Sequence, residues 1–258
     1  KLINFINEFL PNVVDKDLKK ELNDIKIKIE NFPNERLYSS LSEDLMKISN
    51  RVNNIVNTNN YMTFLNSINS DIQERKYSNA IEKLTKISVP DDLKNWKNYN
   101  LAISYLGNLD YENAMKYANN MDNSLSTKML KGSIKFEMGD FYGADEIYEN
   151  VLNDNIFDEY YTKDYVLNDR AYALMKLKKY NEALSNIDKA IQINSFESNY
   201  YDTKGEILYL FGKISESIMY TNKSIELNPN KNSYYIRGLS QIKQNKIENG
   251  CRDLSKAL

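Results

Sequence analysis

The stretch NDRAYALMKLKKYNEALSNIDKAI (168–191) decides the fold, because two later passages repeat it: TKGEILYLFGKISESIMYTNKSI (203–225) and IRGLSQIKQNKIENGCRDLSKAL (236–258). Their small residues Ala171, Gly205 and Gly238 stand 34 and 33 positions apart, and 12 residues after each comes a second small residue, Ala183, Ser217 and Gly250. Seven further on lies a third column, Ala190, Ser224 and Ala257, while Tyr180, Ile214 and Ile247 precede the second column by three. A period of this length, carrying small and large apolar residues at fixed offsets, marks a repeat architecture. Each unit reads as two helices joined by a tight turn near Lys178-Lys179, Gly212-Lys213 and Asn245-Lys246. Small residues where the helices cross let the axes approach, and the larger ones fill the flanking grooves. One such hairpin cannot bury its own apolar face, whereas a stack of them can.

Upstream, KGSIKFEMGDFYGADEIYENVL (131–152) keeps the register with Gly132, Gly139, Phe141, Ala144 and Tyr148. LAISYLGNLDYENAMKYA (101–118) supplies Ala102, Tyr105, Tyr111 and Ala114, and a degenerate unit falls at Phe64, Tyr77, Ala80 and Leu84. These units resemble tetratricopeptide repeats, whose period is about 34 residues. Pro229 matches the proline that often closes such a repeat. The tryptophan usual near the start of a unit is replaced by Leu167, Tyr201 and Tyr234, and Trp96 falls two residues before its place. Between Gly132 and Ala171 the spacing swells to 39, which puts an insertion near Ile156–Tyr161, in a connecting loop. The resemblance implies an all-α, right-handed superhelical solenoid of antiparallel helix pairs. Six units are expected at about 61–94, 95–124, 125–163, 164–197, 198–230 and 231–258, the last incomplete.

Residues 1–60 do not follow the repeat. Leu18, Leu22, Ile25 and Ile29 form one apolar stripe, Pro33 breaks the chain, and Leu41, Leu45, Ile48, Val52 and Ile55 form another. An N-terminal helical hairpin capping the solenoid is the first expectation, and a short coiled coil for self-association the second. The polar run Asn57–Asn60 marks the boundary.

Composition narrows the function. The 258 residues carry 34 basic and 36 acidic side chains, a net charge of −2, which gives no basic footprint for nucleic acid. No apolar run is long enough for a membrane span. Histidine is absent, removing the commonest general base and metal ligand, and no phosphate-binding glycine loop or nucleophile motif is present. A non-enzyme with neither cofactor nor metal is expected. Asp158, Glu159 and Asp164 lack the glycine and alternation of a calcium loop and read as a solvated acidic turn. Cys251, the one cysteine, reads as a small core residue of the last helix. A single thiol suits a reducing, cytoplasmic compartment. The start at Lys1 without Met reads as a cut piece and leaves an extracytoplasmic place open.

The resemblance implies that the first helix of each unit lines a concave groove, in which a partner protein or peptide docks. Offsets along those helices give the lining Met129, Ser133, Phe136, Tyr165, Asn168, Tyr172, Met175, Asn199, Asp202, Glu206, Tyr209, Tyr235, Leu239 and Ile242. Such a face, rich in Tyr, Met and Asn and nearly neutral, suits an extended peptide or an amphipathic helix. Chaperone-binding members of the family grip acidic C-termini with a clamp of Lys, Asn, Asn, Lys and Arg. The matching places here hold Asn168, Tyr172, Thr203, Asn232 and Ile236, without a cation, so this chain is not expected to bind that way. The alternative is the sensory repeat domain of a larger peptide-responsive regulator, although residues 1–60 show no helix-turn-helix.

Overall fold

A computed structural model describes residues 61–158 and 160–258, together with 19, 20, 23, 24, 26 and 27. The chain divides into two compact units between Glu74 and Arg75. In the first, residues 61–73 are helical; the expected N-terminal hairpin and its coiled-coil alternative lie outside the described residues. All further description concerns the second unit.

There the chain runs through α1 (Tyr77–Lys86), a short 3-10 turn (Asp91–Leu93), α2 (Lys94–Gly107), α3 (Tyr111–Asn119), α4 (Leu125–Glu137) and α5 (Phe141–Asp154). It continues through α6 (Lys163–Lys176), α7 (Tyr180–Ile193), α8 (Ser198–Leu210), α9 (Ile214–Leu227), α10 (Lys231–Lys243) and α11 (Ile247–Ala257). From α2 onward the helices pair as first and second partners, α2 with α3 through α10 with α11, and each pair packs on the next. The all-α repeat solenoid read from the sequence is therefore the fold.

The small columns act as expected. A Cβ on Gly238 would lie 3.0 Å from the carbonyl oxygen of Gly250, and one on Gly250 would lie 2.8 Å from that of Gly238. Backbone meets backbone there, and only glycine permits it. At Gly205 the obstacle is the Thr221 methyl, 2.5 Å from an added Cβ, while the Ser217 hydroxyl donates to the Gly205 carbonyl at 2.8 Å. In the central pair Ala171, Ala183 and Ala190 are fully buried with Leu174 and Ile187.

The turn within each pair repeats one construction. Leu109, Gly139, Lys178, Gly212 and Asn245 all sit at φ between 60° and 86°, the left-handed conformation that terminates a helix. The amide after each reaches back to close the last turn, as in Lys179 N–H to the Leu174 carbonyl and Lys213 N–H to that of Leu208 (2.9 and 2.8 Å). The next helix starts at once. In two pairs it is capped by an aspartate, Asp110 accepting from Asn113 N–H and Asp140 from Gly143 N–H.

The five-residue excess between the third and fourth units is a loop following left-handed Asn155. It is tied down: Phe157 and Tyr161 pack on the core beneath α4, α5 and α6, and the Asp158 carboxylate accepts from the Tyr160 and Tyr161 amides. Asp164 is buried and accepts from the Tyr200 hydroxyl at 3.0 Å. Cys251 departs from expectation, because it is exposed. Its counterparts Leu184 and Ile218 are half-buried where a later helix lies beside them, whereas Cys251 stands on α11, the last helix described.

Candidate functional site

The first helices form the inner row of the stack. Helix α8 touches both α6 and α10, whereas consecutive second helices make no comparable contact. The closer-packed row is the concave one, so the groove belongs to α4, α6, α8 and α10.

The structure sorts the expected lining into two groups. Phe136, Tyr165, Asn168 and Tyr172 converge, with Ser133, on a cavity of about 340 Å³ between α4 and α6. Farther along, Asp202, Glu206, Tyr209, Leu239 and Ile242 are half-buried on the same row, and Asn199 and Tyr235 are exposed. Met129 and Met175 do not belong to it. They are 2% and 1% exposed, Met129 packed with Val166, Ala173 and Tyr148, Met175 with Ala183 and Ile187. A thioether has no polar group to keep in water, and both positions sit where neighbouring helices close over the first-helix flank.

Four cavity residues were not anticipated: Glu137, Tyr148, Asp169 and Thr203. Asp169 had a signal. At 100° per residue it lies only about 40° from Tyr165 around α6, whereas Met175 lies about 80° away on the other side. The stripe through Tyr165, Asp169, Tyr172 and Lys176 is thus the groove face. Lys176 confirms the geometry, being exposed with its Nζ 5.2 Å from the Tyr172 ring centroid.

Aromatic and acidic groups are interleaved along this face. The Phe136 and Tyr172 rings meet at 5.7 Å, and Tyr165 meets Tyr161 at 5.9 Å. The Tyr172 hydroxyl donates to Glu206 at 3.1 Å, and Asn232 Nδ2 donates to Asp202 at 2.8 Å. The Ser233 hydroxyl also donates to Asp202. Burial raises the Asp202 carboxyl above the usual range, with these two donors opposing the rise. Burial pushes the Asp169 carboxyl up to about 7, opposed only by a long contact from Asn168 Nδ2 (3.4 Å). Among the described residues none of Glu137, Asp169, Asp202 and Glu206 is in an ion pair. The lining expected to be nearly neutral thus carries four carboxyl groups, with Lys176 and Lys243 lying over the rings of Tyr172 and Tyr209 rather than pairing with these acids.

These features define a helical-repeat protein with an open face along its first helices. Its class follows from the comparisons. The tetratricopeptide repeat family model matches residues 165–196, the α6–α7 pair with its flanks. A tetratricopeptide repeat protein from Parabacteroides merdae ATCC 43184 superimposes with a TM-score of 0.57 at 18% identity, covering 99% of this chain and 90% of that one. MamA from residue 41 to its end, from Desulfovibrio magneticus RS-1, gives 0.51 at 17% identity, covering 66% of this chain and 95% of that one. No curated protein matches the sequence. The chain carries a tetratricopeptide repeat at 165–196 and has the tetratricopeptide-repeat fold. No helix among the described residues is long and apolar enough to cross a membrane.

Proposed function

We propose that the protein is a non-catalytic interaction scaffold that holds a peptide or helix of a partner protein in the groove of its first helices. The observation carrying this is the continuous face from Phe136 to Tyr235. It offers aromatic area, a cavity and a line of hydrogen-bonding groups to solvent without assembling a nucleophile beside a base. Tyrosine suits this use, since it brings large area and a hydroxyl at the entropic cost of two torsions. The cations Arg170 and Lys204 on the same first helices are instead turned to the preceding second helices, paired with Asp145 and Glu149 and with Asp188, and are spent on the fold.

An affinity capture from the source-cell extract tests the reading. Wild-type protein is compared with Tyr172→Glu/Tyr209→Glu, both shown folded by circular dichroism. The groove reading expects at least one partner to be retained by wild type and reduced tenfold or more on the double variant, because two charges are buried without partners on docking. Equal recovery of every partner contradicts it.

A further inference from the structure

The cavity between α4 and α6 has an imbalance that names its occupant, on the reading that the groove is the peptide-binding face. Its polar inventory is short of donors. Asn168 Oδ1 is buried and has no hydrogen-bond partner, and Asp169 receives only the 3.4 Å contact from Asn168 Nδ2. Glu137 adds a second carboxylate to the lining, and among the described residues neither acid meets a cation. Lys176, the nearest basic residue along the helix face, lies over the Tyr172 ring and forms no ion pair with Asp169.

The walls are aromatic. Phe136 and Tyr172 stand against each other, and Tyr165 lies about two turns away along α6. Tyr172 has already committed its hydroxyl proton to Glu206, so it offers the cavity its ring rather than a donor. An anionic guest would meet two carboxylates, and an apolar one would leave Asn168 Oδ1 and the Asp169 carboxyl without partners, which costs about 1–3 kcal/mol for each such group. A guest that satisfies the site must be positively charged, rich in donors and flat enough to lie on rings. Guanidinium meets all three requirements, with five N–H groups in a planar fork and affinity for aromatic faces. Ammonium meets the first two.

We propose that this cavity is a specificity pocket for an arginine side chain of the partner segment. Asp169 acts as its counter-ion, Asn168 Oδ1 as a second acceptor, and Phe136, Tyr165 and Tyr172 as the stacking walls. The ligand class is therefore a basic peptide, which the acidic run continuing through Asp202 and Glu206 also favours.

The test uses the full chain on an array of nine-residue peptides, randomised except for a central Arg, Lys, citrulline or norleucine. Citrulline keeps the shape of arginine and removes its charge. Arg-centred spots are expected to retain at least ten times more protein than citrulline- or norleucine-centred ones, with Lys between. Asp169→Asn removes most of the Arg preference while melting no lower than wild type, and millimolar Nα-acetylarginine amide competes only weakly. Citrulline spots as strong as Arg spots, or an Asp169→Asn variant with an unchanged preference, overturn the pocket assignment while binding to the array keeps the groove reading intact. Equal saturation by Nα-acetylarginine amide alone overturns the peptide assignment in favour of a small cation. Absence of binding to every spot overturns the pocket assignment, and equal recovery of every partner by wild type and Tyr172→Glu/Tyr209→Glu in the extract capture is the separate result that removes the groove reading itself.

Discussion

Replacing Asp169 by Asn is expected to raise the midpoint of thermal unfolding at pH 8 and to leave it nearly unchanged at pH 4. The folded protein holds the Asp169 proton up to about pH 7, because burial in the cavity disfavours the carboxylate. The unfolded chain releases that proton near pH 4. Between the two values the folded state binds more protons, so the contribution of this group to stability falls as pH rises and levels off above about 7. The charge it then carries is an uncompensated one, costing on the order of 3 kcal/mol once residual solvent contact is discounted. Asparagine keeps the shape and hydrogen-bonding reach without the charge. For a unit of this size the gain corresponds to a rise of several degrees, read by calorimetry at the two pH values. An equal shift at both values, or a lower midpoint at pH 8, contradicts the assignment of a buried, unpaired acid. A group that weakens its own protein at neutral pH is the kind kept for a ligand rather than for the fold.

Replacing Arg170 by Met is expected to destabilise the protein by about 3 kcal/mol, the second large effect. Arg170 Nε donates to Asp145 at 2.7 Å and Nη2 to Glu149 at 2.9 Å, joining α6 to the second helix of the preceding pair. The side chains of Arg170 and Asp145 are only 16% and 12% exposed, so removing the cation strands a largely buried carboxylate. Urea unfolding gives the loss directly. Arg170→Met combined with Asp145→Leu recovers much of it, because two apolar side chains of similar bulk leave no charge behind. A single variant as stable as wild type contradicts this account. A cation recurs one place before each small residue of the first column: Lys204 pairs with Asp188 of the preceding pair at 2.6 Å, and Arg237 with Asp253 of its own pair at 2.6 Å.

That recurrence shows what the sequence made legible and what it hid. The columns Ala171, Gly205 and Gly238 against Ala183, Ser217 and Gly250 were readable because helix crossing leaves no choice of size, and the structure puts Gly238 and Gly250 within contact of each other's carbonyls. The turns at Lys178, Gly212 and Asn245 were readable from the same spacing. The cations Arg170, Lys204 and Arg237 were not, since an apolar periodicity is silent about charges that find partners on another helix. The groove was legible in outline only. A 3-and-4 alternation admits both Asn168 and Asp169 beside Tyr165, and it cannot say which flank of α6 a neighbouring helix will cover. Met175 was covered and Asp169 was left facing the cavity. Met129 was lost to the core in the same way, and Cys251 was exposed because burial of its column depends on a helix beside it.

The central claim is that the partner lies along the first helices. The most direct measurement places the photo-crosslinking residue p-benzoylphenylalanine at Tyr165 or Tyr235, on the groove, and separately at Tyr142, which is 68% exposed on the second-helix side. After irradiation in the source-cell extract, the account predicts the same discrete crosslinked partner from both groove positions and none from Tyr142. A partner captured at Tyr142, with both groove positions silent, would place the binding face on the second helices and contradict it.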